Sequence, residues 1–156
     1  MLPFDKLVKN IQKLSDHDPI LMNKIRKYIY EMIVACIDVH KGMGPYLNEY
    51  MYQEALDISL EEHGFKDDNK VREYYFAVDY HGKKIPHRHY VDFFVNRKVF
   101  IECKAIGHLG SEQRQQLWNY MRLTGVRIGI LYNFAPFRDE CEKYYYDPDS
   151  QILYAF

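Results

Sequence analysis

Three ionisable side chains within two short apolar stretches could carry chemistry. Asp92 lies in residues 90–95, and Glu102 and Lys104 lie in residues 99–104. Charges inside segments that otherwise look like buried strands are costly unless they are paired or bind a metal. Two carboxylates beside a lysine also suit magnesium-dependent hydrolysis of a phosphodiester, because the carboxylates hold the hard cation and the ammonium steadies a water or the phosphate charge. From spacing alone, a solvated strand face with a structural ion pair explains the pattern equally well.

Composition narrows the class of protein. The 156 residues are 47% hydrophobic and 16% aromatic, which suits one domain with a substantial core. Because the formal net charge is -1, any binding of nucleic acid must rely on a local patch of positive charge and not on the charge of the whole chain. Cys36, Cys103 and Cys141 are odd in number and contain no CxxC pair, so a reduced, cytoplasmic protein is expected. No signal peptide or membrane-spanning run is apparent, and no membrane partner is expected.

Hydrophobic spacing in the first half of the chain predicts helices over residues 4–14, 22–40 and 46–63. The first helix is broken by residues 15–19, which include two aspartates and a proline. Gly42 and Gly44 are expected to end the second helix, and Gly64 the third.

The second half of the chain has the spacing of strands, at residues 71–80, 90–95, 99–104 and 126–134, with one helix at 112–124. Ser111 is the expected cap of that helix and Gly125 its stop. The strand at 99–104, the helix and the strand at 126–134 follow one another, which implies that the two strands are parallel and that the helix joins them in a right-handed crossover. The tail is expected to add an edge strand. Together the elements predict an α/β fold, a small mixed β-sheet flanked by helices.

The connection between the two charged strands decides whether the acids meet. Glu102 and Lys104 are two residues apart on one strand, so their side chains point to the same face of the sheet. A two-residue turn would set Asp92 opposite Ile101 and away from Glu102. A three-residue loop at residues 96–98 places Asp92 opposite Glu102, and Asn96 tolerates the left-handed conformation. We therefore predict the three-residue loop.

Several sequence motifs of the chain, taken in order, resemble the motifs of one protein family. Residues 39–56, VHKGMGPYLNEYMYQEAL, resemble the signature of the GxxExxY proteins, a small branch of the PD-(D/E)XK nuclease superfamily. The resemblance continues through the two charged strands and the motifs QLWNYM and GILYNF, and covers roughly residues 25–137. Tyr46 stands where the naming glycine would be, whereas Glu49 and Tyr52 are in place.

The resemblance implies a restriction-endonuclease-like core with an extra N-terminal helix. The chain would be a single nuclease-like domain with a helical extension at residues 1–19, a core at 20–137 and a tail at 138–156. Asp92 and Glu102 resemble the family's metal-binding carboxylates, and Lys104 resembles the lysine of its ExK element. Glu49 resembles a helix glutamate that approaches the same site, and the backbone carbonyl of Cys103 would complete the shell of Mg²⁺ or Mn²⁺.

Gln116 and Tyr120 match the QxxxY pair of RecB-like nucleases, which implies a role in orienting substrate. Residues four apart share one helical face, so an amide and a phenol can act together there. The alternative for Tyr120 is packing in the core with Leu117 and Met121. For Tyr52, too, a place in the core is as good an expectation as a place in the site.

Other polar residues have simpler interpretations. His87 and His89 alternate on a strand, but zinc needs further nitrogen or sulfur ligands, so a solvated edge is expected. His40 is expected to interact with carbonyls at the end of its helix. A basic rim near the site, or else scattered surface charge, would be formed by Lys83, Lys84, Arg88, Arg97 and Lys98.

Two functions of different classes follow. The first is a metal-dependent nuclease whose partner is nucleic acid, with DNA favoured over RNA by family analogy. The second is a catalytically silent protein of the same fold that binds nucleic acid or another protein. The near-neutral charge, Tyr46 and the apolar helix at residues 4–14, which could dock a partner or form a homodimer, motivate the second. The intact acids and Lys104 favour the first.

Overall fold

A computed structural model describes Phe4, Lys9 and residues 11–156. Its helices and strands, in chain order, are β1 (Gln12–Lys13), α1 (Leu14–His17), α2 (Pro19–Met43), α3 (Glu49–Glu62), β2 (Lys70–Phe76), β3 (Asp79–Tyr80), β4 (Lys83–Lys84), β5 (His89–Val95), β6 (Val99–Lys104), α4 (Ser111–Thr124), β7 (Ile128–Asn133), β8 (Glu140–Asp147) and β9 (Ile152–Ala155).

The strands form one mixed sheet with helices on both faces, which confirms the predicted α/β fold. Within the described residues the sheet has seven strands, in the order β1-β9-β8-β7-β6-β5-β2. The pairs β6–β7 and β1–β9 are parallel, and the others are antiparallel. Strands β3 and β4 form a separate hairpin, so the strand predicted over residues 71–80 is interrupted after Phe76.

Alternation along β6 distributes its side chains between two apolar clusters. Val99, Ile101 and Cys103 pack in the cluster that contains the buried residues of α2 and α3. Phe100 packs in the opposite cluster, with Leu117 and other residues of α4. Because Glu102 and Lys104 have the parity of Phe100, they lie on the α4 face of the sheet.

The crossover from β6 through α4 to β7 brings the candidate residues together. The two strands are parallel, as predicted, with Glu102 beside Leu131 and Lys104 beside Asn133. Gly129 lets α4 approach β7 closely, since a Cβ at this position would lie 2.5 Å from Met121 Sδ. The predicted stop of α4 at Gly125 is confirmed by its φ of 76°.

Two helices begin at residues other than the predicted ones. Helix α3 starts at Glu49, not near Tyr46, because Asn48 is its N-cap and accepts a hydrogen bond from Met51 N–H at 2.9 Å. Helix α4 starts at Ser111 itself. Gly110 is its cap, and Gly110 N–H donates to Gln113 Oε1 at 2.8 Å.

The first part of the chain differs from the helix predicted over residues 4–14. Gln12 and Lys13 form a short strand beside β9, and the residues after them, which we expected to break a helix, form α1. Helix α2 then starts at Pro19, whose missing N–H is not needed in the first turn, with Asp18 as its cap. Most of residues 4–10, and with them the proposed docking helix, lie outside the described residues.

The tail does more than add an edge strand. Strand β8 pairs along its length with β7, and β9 lies between β8 and β1. Tyr144, Tyr146 and Leu153 are buried in the cluster under α4. The tail therefore extends the sheet on the β7 side, a role that its mixed polar and aromatic sequence did not indicate.

Candidate active site

The hairpin of β5 and β6 has the predicted register. Val95 pairs with Val99, Phe94 with Phe100 and Phe93 with Ile101, so the connection is the three-residue loop at 96–98 and Asp92 comes next to Glu102. Asn96 and Arg97 both adopt positive φ, 53° and 54°. The left-handed conformation expected of Asn96 is therefore confirmed and extends to Arg97.

At Asp92 and Glu102, side-chain carboxylates accept hydrogen bonds from backbone N–H groups of the neighbouring strand. Asp92 N–H donates to Glu102 Oε1 at 2.9 Å, and Cys103 N–H donates to Asp92 Oδ2 at 2.8 Å. Each carboxylate thus accepts from the backbone of the opposite strand, which fixes both acids between β5 and β6. The side chain of Cys103 points into the apolar cluster below, as expected from its parity.

The alternation of β5 breaks at Asp92. Val91 packs with Phe94 in the cluster under α4, whereas Phe93 packs in the other cluster, although Val91 and Phe93 are two residues apart. On the neighbouring strand, Glu73 has a φ of 51° and stands between the pairs that flank Asp92. Both strands are therefore distorted at the acid, which the simple period of a strand did not predict.

Burial dominates the electrostatics of the acid pair. Glu102 is 3% exposed. The pKa of Asp92 is raised to about 6, chiefly by burial and in part by the charge of Glu49, while the hydrogen bond from Cys103 N–H and the charges of Lys104 and Arg72 oppose the rise. Burial, and then the charge of Asp92, raise the pKa of Glu102 well above its ordinary value. Removing water disfavours the ionised forms, so the pair favours holding protons unless a cation compensates its charge.

A chain of hydrogen bonds runs from Lys104 along one face of α4. Lys104 Nζ donates to Gln116 Oε1 at 2.8 Å, and Gln116 Nε2 donates to Tyr120 Oη at 3.2 Å. Burial, followed by the charge of Glu102, raises the pKa of Tyr120. Tyr120 also packs against the apolar cluster that contains Leu117 and Met121, as the core alternative expected, and its role in orienting substrate stays a prediction.

Glu49 and Tyr52 occupy different environments. Glu49 is the first residue of α3, close enough to Asp92 to raise its pKa, and its Oε2 accepts from Gln53 Nε2 at 3.3 Å. Tyr52 is fully buried in the core and stacks on Phe134 with ring centroids 4.7 Å apart. The helix start therefore aims Glu49 toward the acid pair while Tyr52 holds the segment in place.

The donor set of this site suits a hard divalent cation. Asp92 and Glu102 supply buried carboxylate oxygens whose raised pKa values fall back when positive charge is added. In the part of the chain that the structure describes, no group of three or more His, Cys, Asp or Glu side chains is arranged to hold a metal. Two carboxylates would leave most of the shell to water, substrate and backbone, which Mg²⁺ accepts.

Two residues of the predicted basic rim, Arg97 and Lys98, lie far from Lys104. Lys104 opens into a cavity of about 360 Å³ that is also lined by Glu112, Gln113 and Gln116, in the first half of α4. Arg97 and Lys98 line a larger groove of about 510 Å³ beside Gly125, at the far end of that helix. A 14-residue helix is about 20 Å long, so these two cations are remote from Lys104.

Arg72 is a neighbour of the site that the sequence patterns did not single out. Its strand position pairs with Phe93, its guanidinium lies 5.1 Å from the ring centroid of Tyr50, and its charge lowers the pKa of Asp92. Its Nε and Nη2 are buried, with no acceptor among the residues that the structure describes. The only sequence signal is a cation within an aromatic strand.

His40 does not cap its helix as expected. Its Nδ1 lies 2.8 Å from Asp139 Oδ1, and Tyr132 donates a hydrogen bond to the other oxygen of Asp139. The helix instead ends in the hydrogen bond from Gly44 N–H to His40 O. His40 thus ties α2 to the segment after β7.

The chain is similar to one protein family and to a solved structure. The family model of the PD-(D/E)XK nuclease superfamily matches residues 26–144. No curated protein matches the chain. One solved structure, the crystal structure of SSO0001, has a TM-score of 0.42 and 17% sequence identity and covers 77% of this chain. This chain covers 58% of that chain, less than two thirds of its length.

The family match spans the elements that build the site. It includes β5 with Asp92, β6 with Glu102 and Lys104, and α4 with Gln116 and Tyr120. It also includes all of α3 and most of α2, which pack on the other face of the sheet. Because the match covers more than half of the chain and the mixed sheet agrees with a restriction-endonuclease-like fold, the chain belongs to the PD-(D/E)XK nuclease superfamily.

Proposed function

We propose that the protein hydrolyses phosphodiester bonds of DNA with the help of Mg²⁺ or Mn²⁺. The observation that carries this proposal is the neighbouring pair of Asp92 and Glu102, whose carboxylates each accept a backbone N–H of the opposite strand, next to Lys104. Membership of the superfamily supports a nuclease-type activity. The choice of DNA over RNA rests on family analogy.

Asp92 and Glu102 would hold the cation, joined by the backbone carbonyl of Cys103. Glu49 would assist from the start of α3, directly or through a water. A bound divalent cation would lower the pKa of an attacking water and neutralise charge on the phosphate. The two backbone N–H bonds fix the carboxylates before any ligand arrives, so little reorganisation is needed on binding.

Lys104 would steady the attacking water or the charge that develops on the phosphate. Its ammonium is held by Gln116, and Gln116 is held by Tyr120. This chain selects one direction for Nζ among the many that a lysine side chain can adopt. Gln116 and Tyr120 thereby orient the reacting groups, and the cavity beside Lys104 gives a phosphate access.

The direct test is incubation with single-stranded, duplex and branched DNA in Mg²⁺ or Mn²⁺. Cleavage that needs the metal and is lost in Glu102→Gln supports the proposal. Absence of cleavage on all three DNA forms, or cleavage that Glu102→Gln and Lys104→Ala leave intact, contradicts it. A chain without cleavage and without saturable metal binding would fit the silent scaffold instead.

Gln116→Ala is expected to lower the cleavage rate by about 10- to 100-fold, because Lys104 loses the acceptor that directs it. The matched control is Gln115→Ala, since Gln115 is the exposed neighbour of the same residue type. Initial rates at saturating metal measure the effect. Equal rates for the two variants would show that the hydrogen bond to Lys104 has no part in the reaction.

Metal affinity is expected to rise with pH. The pKa of Asp92 is raised to about 6, so below this pH the cation must displace a proton. The affinity should then fall by about tenfold per pH unit for each proton displaced. Calorimetric titration with Mg²⁺ and Mn²⁺ at pH 5.0 and 7.5, in buffers of different ionisation enthalpy, reports both the affinity and the protons released. Equal affinity at the two pH values would place the cation elsewhere.

The cellular location is part of the same proposal. Cys36, Cys103 and Cys141 are free thiols, and the first two are buried. Free thiols persist in a reducing compartment, and the cytoplasm is such a compartment. Among the described residues, no helix is long and apolar enough to cross a membrane.

A further inference from the structure

Tyr46 adopts a conformation that is unfavourable for its side chain. Its φ is 67°, in the left-handed region, where a bulky residue with a Cβ is strained and glycine is not. Its side chain is 70% exposed, so burial in the core does not offset the strain. Strain at an exposed aromatic residue calls for an explanation outside folding.

A second exposed aromatic ring lies against Tyr46. Phe137 is 90% exposed, and the two ring centroids are 6.1 Å apart with an interplanar angle of 90°. We call these residues the aromatic pair. A phenylalanine that remains this exposed gains little stabilisation from burial, since most of its ring faces water. The aromatic pair therefore presents free ring faces at the surface.

Both members of the aromatic pair are fixed to elements of the candidate active site. Tyr52 Oη donates to Gly44 O at 2.6 Å and accepts from Leu47 N–H at 3.3 Å, which clamps the loop that carries Tyr46. The Tyr52 ring stacks on Phe134, three residues before Phe137. Phe134 N–H donates to Lys104 O at 2.8 Å.

The other side of the loop leads directly to Glu49. Asn48 caps α3 two residues after Tyr46, and Glu49 follows as the residue that raises the pKa of Asp92. The aromatic pair is thus connected to the acid pair through Glu49 on one side and through Lys104 on the other. The second connection meets the sheet where β6 and β7 end, because Lys104 and Asn133 are the last residues of those strands.

The charges around the aromatic pair favour an anionic partner. The segments that carry the two rings contain the exposed cations Lys41 and Arg138. The acids that follow Arg138 already have partners: Asp139 is engaged by His40 and Tyr132, and Glu140 accepts from Leu109 N–H and Asn133 Nδ2. Flat aromatic faces flanked by cations match a nucleic acid strand, because its bases stack on rings and its phosphates pair with lysine and arginine. The bases must be unpaired, since those inside a duplex already stack on one another.

We propose that the aromatic pair stacks unpaired bases of the strand whose phosphate reaches the acid pair. The substrate is then a single strand, or a duplex with an unpaired segment at the cleavage site. This inference rests on the proposed nuclease function and adds the substrate class to it. Trp118, the one tryptophan of the chain, is excluded as a platform because it is 7% exposed.

The test is binding of a fluorescently labelled oligonucleotide in EDTA, where the metal-dependent reaction does not proceed. The affinity for a single DNA strand is expected to fall about tenfold in Tyr46→Gly and in Phe137→Ala, while that for a blunt duplex stays as it was. The matched control is Tyr30→Ala, since Tyr30 is 61% exposed on α2. Thermal denaturation provides the second readout, because Tyr46→Gly relieves strain and should raise the Tm.

Lower affinity together with a higher Tm supports the stacking site, since a merely structural tyrosine would lower the Tm when removed. Unchanged single-strand affinity in both variants overturns it, as does a wild-type chain that binds a blunt duplex as tightly as a single strand. An RNA strand of the same sequence assigns the sugar preference, and binding of either polymer that depends on the aromatic pair supports the site. Cleavage that is sensitive to Glu102→Gln is measured separately, so the nuclease can stand when the stacking site fails.

Discussion

Glu102→Gln is expected to abolish cleavage and to stabilise the metal-free protein at neutral pH. Removing a charge that would hold the cation should lower the rate by at least about 10³-fold. Burial and the neighbouring Asp92 raise the pKa of Glu102, so its ionised form costs folding free energy at pH 7. Glutamine keeps an oxygen that can accept from Asp92 N–H, and it carries no charge.

The sign of the stability change follows from proton linkage. Because the pKa values of both acids are raised in the folded protein, the folded state holds more protons than the unfolded state, and stability falls as pH rises through about 6. Glu102→Gln should weaken this pH dependence and add about 1–2 kcal/mol at neutral pH, or roughly 2–8 °C in Tm.

Thermal denaturation in EDTA at pH 5.0 and 7.5, together with cleavage assays, measures both effects. Glu54→Gln is a suitable control, since Glu54 is an exposed glutamate on α3 and should leave both quantities unchanged. A variant that is inactive and less stable would mean that Glu102 serves the fold. An active variant would remove Glu102 from the reaction.

Much of the site could be predicted because strand parity and loop length leave few arrangements. Glu102 and Lys104 must share a face, and only a three-residue loop brings Asp92 beside Glu102, as the structure confirms. The spacing of Gln116 and Tyr120 likewise placed both on one face of α4, where they are hydrogen-bonded. These features depend on local periods that the sequence displays directly.

The features that could not be predicted arise from neighbours distant in sequence. The break in alternation at Asp92 depends on the distorted partner strand at Glu73. The orphaned donors of Arg72 follow from packing under Tyr50 and Phe93. The tail became part of the sheet because β7 offers it a long edge, although β8 begins with the charged residues Glu140, Glu142 and Lys143 and continues with three consecutive tyrosines. Tertiary pairing outweighs local pattern at such positions.

Lys104→Met is expected to lower cleavage by about 10²- to 10³-fold and, unlike Glu102→Gln, to destabilise the metal-free protein at neutral pH. Methionine keeps the unbranched stem but removes the charge that lowers the pKa values of Asp92 and Glu102. It also leaves Gln116 Oε1 without its donor. Lys84→Met, on the exposed β3–β4 hairpin, is the control for the loss of one lysine charge.

The double variant Glu102→Gln/Lys104→Met joins the two predictions in one cycle. If Lys104 stabilises the fold by compensating the buried acids, its replacement should cost less once Glu102 is neutral, and the two stability changes should not add. The double variant should cleave at about the rate of the less active single variant. When two residues act as one unit, removing the second costs little further activity. Additive effects on both quantities would mean that the acid pair and Lys104 act independently, which is incompatible with one active site built on the β5–β6 hairpin.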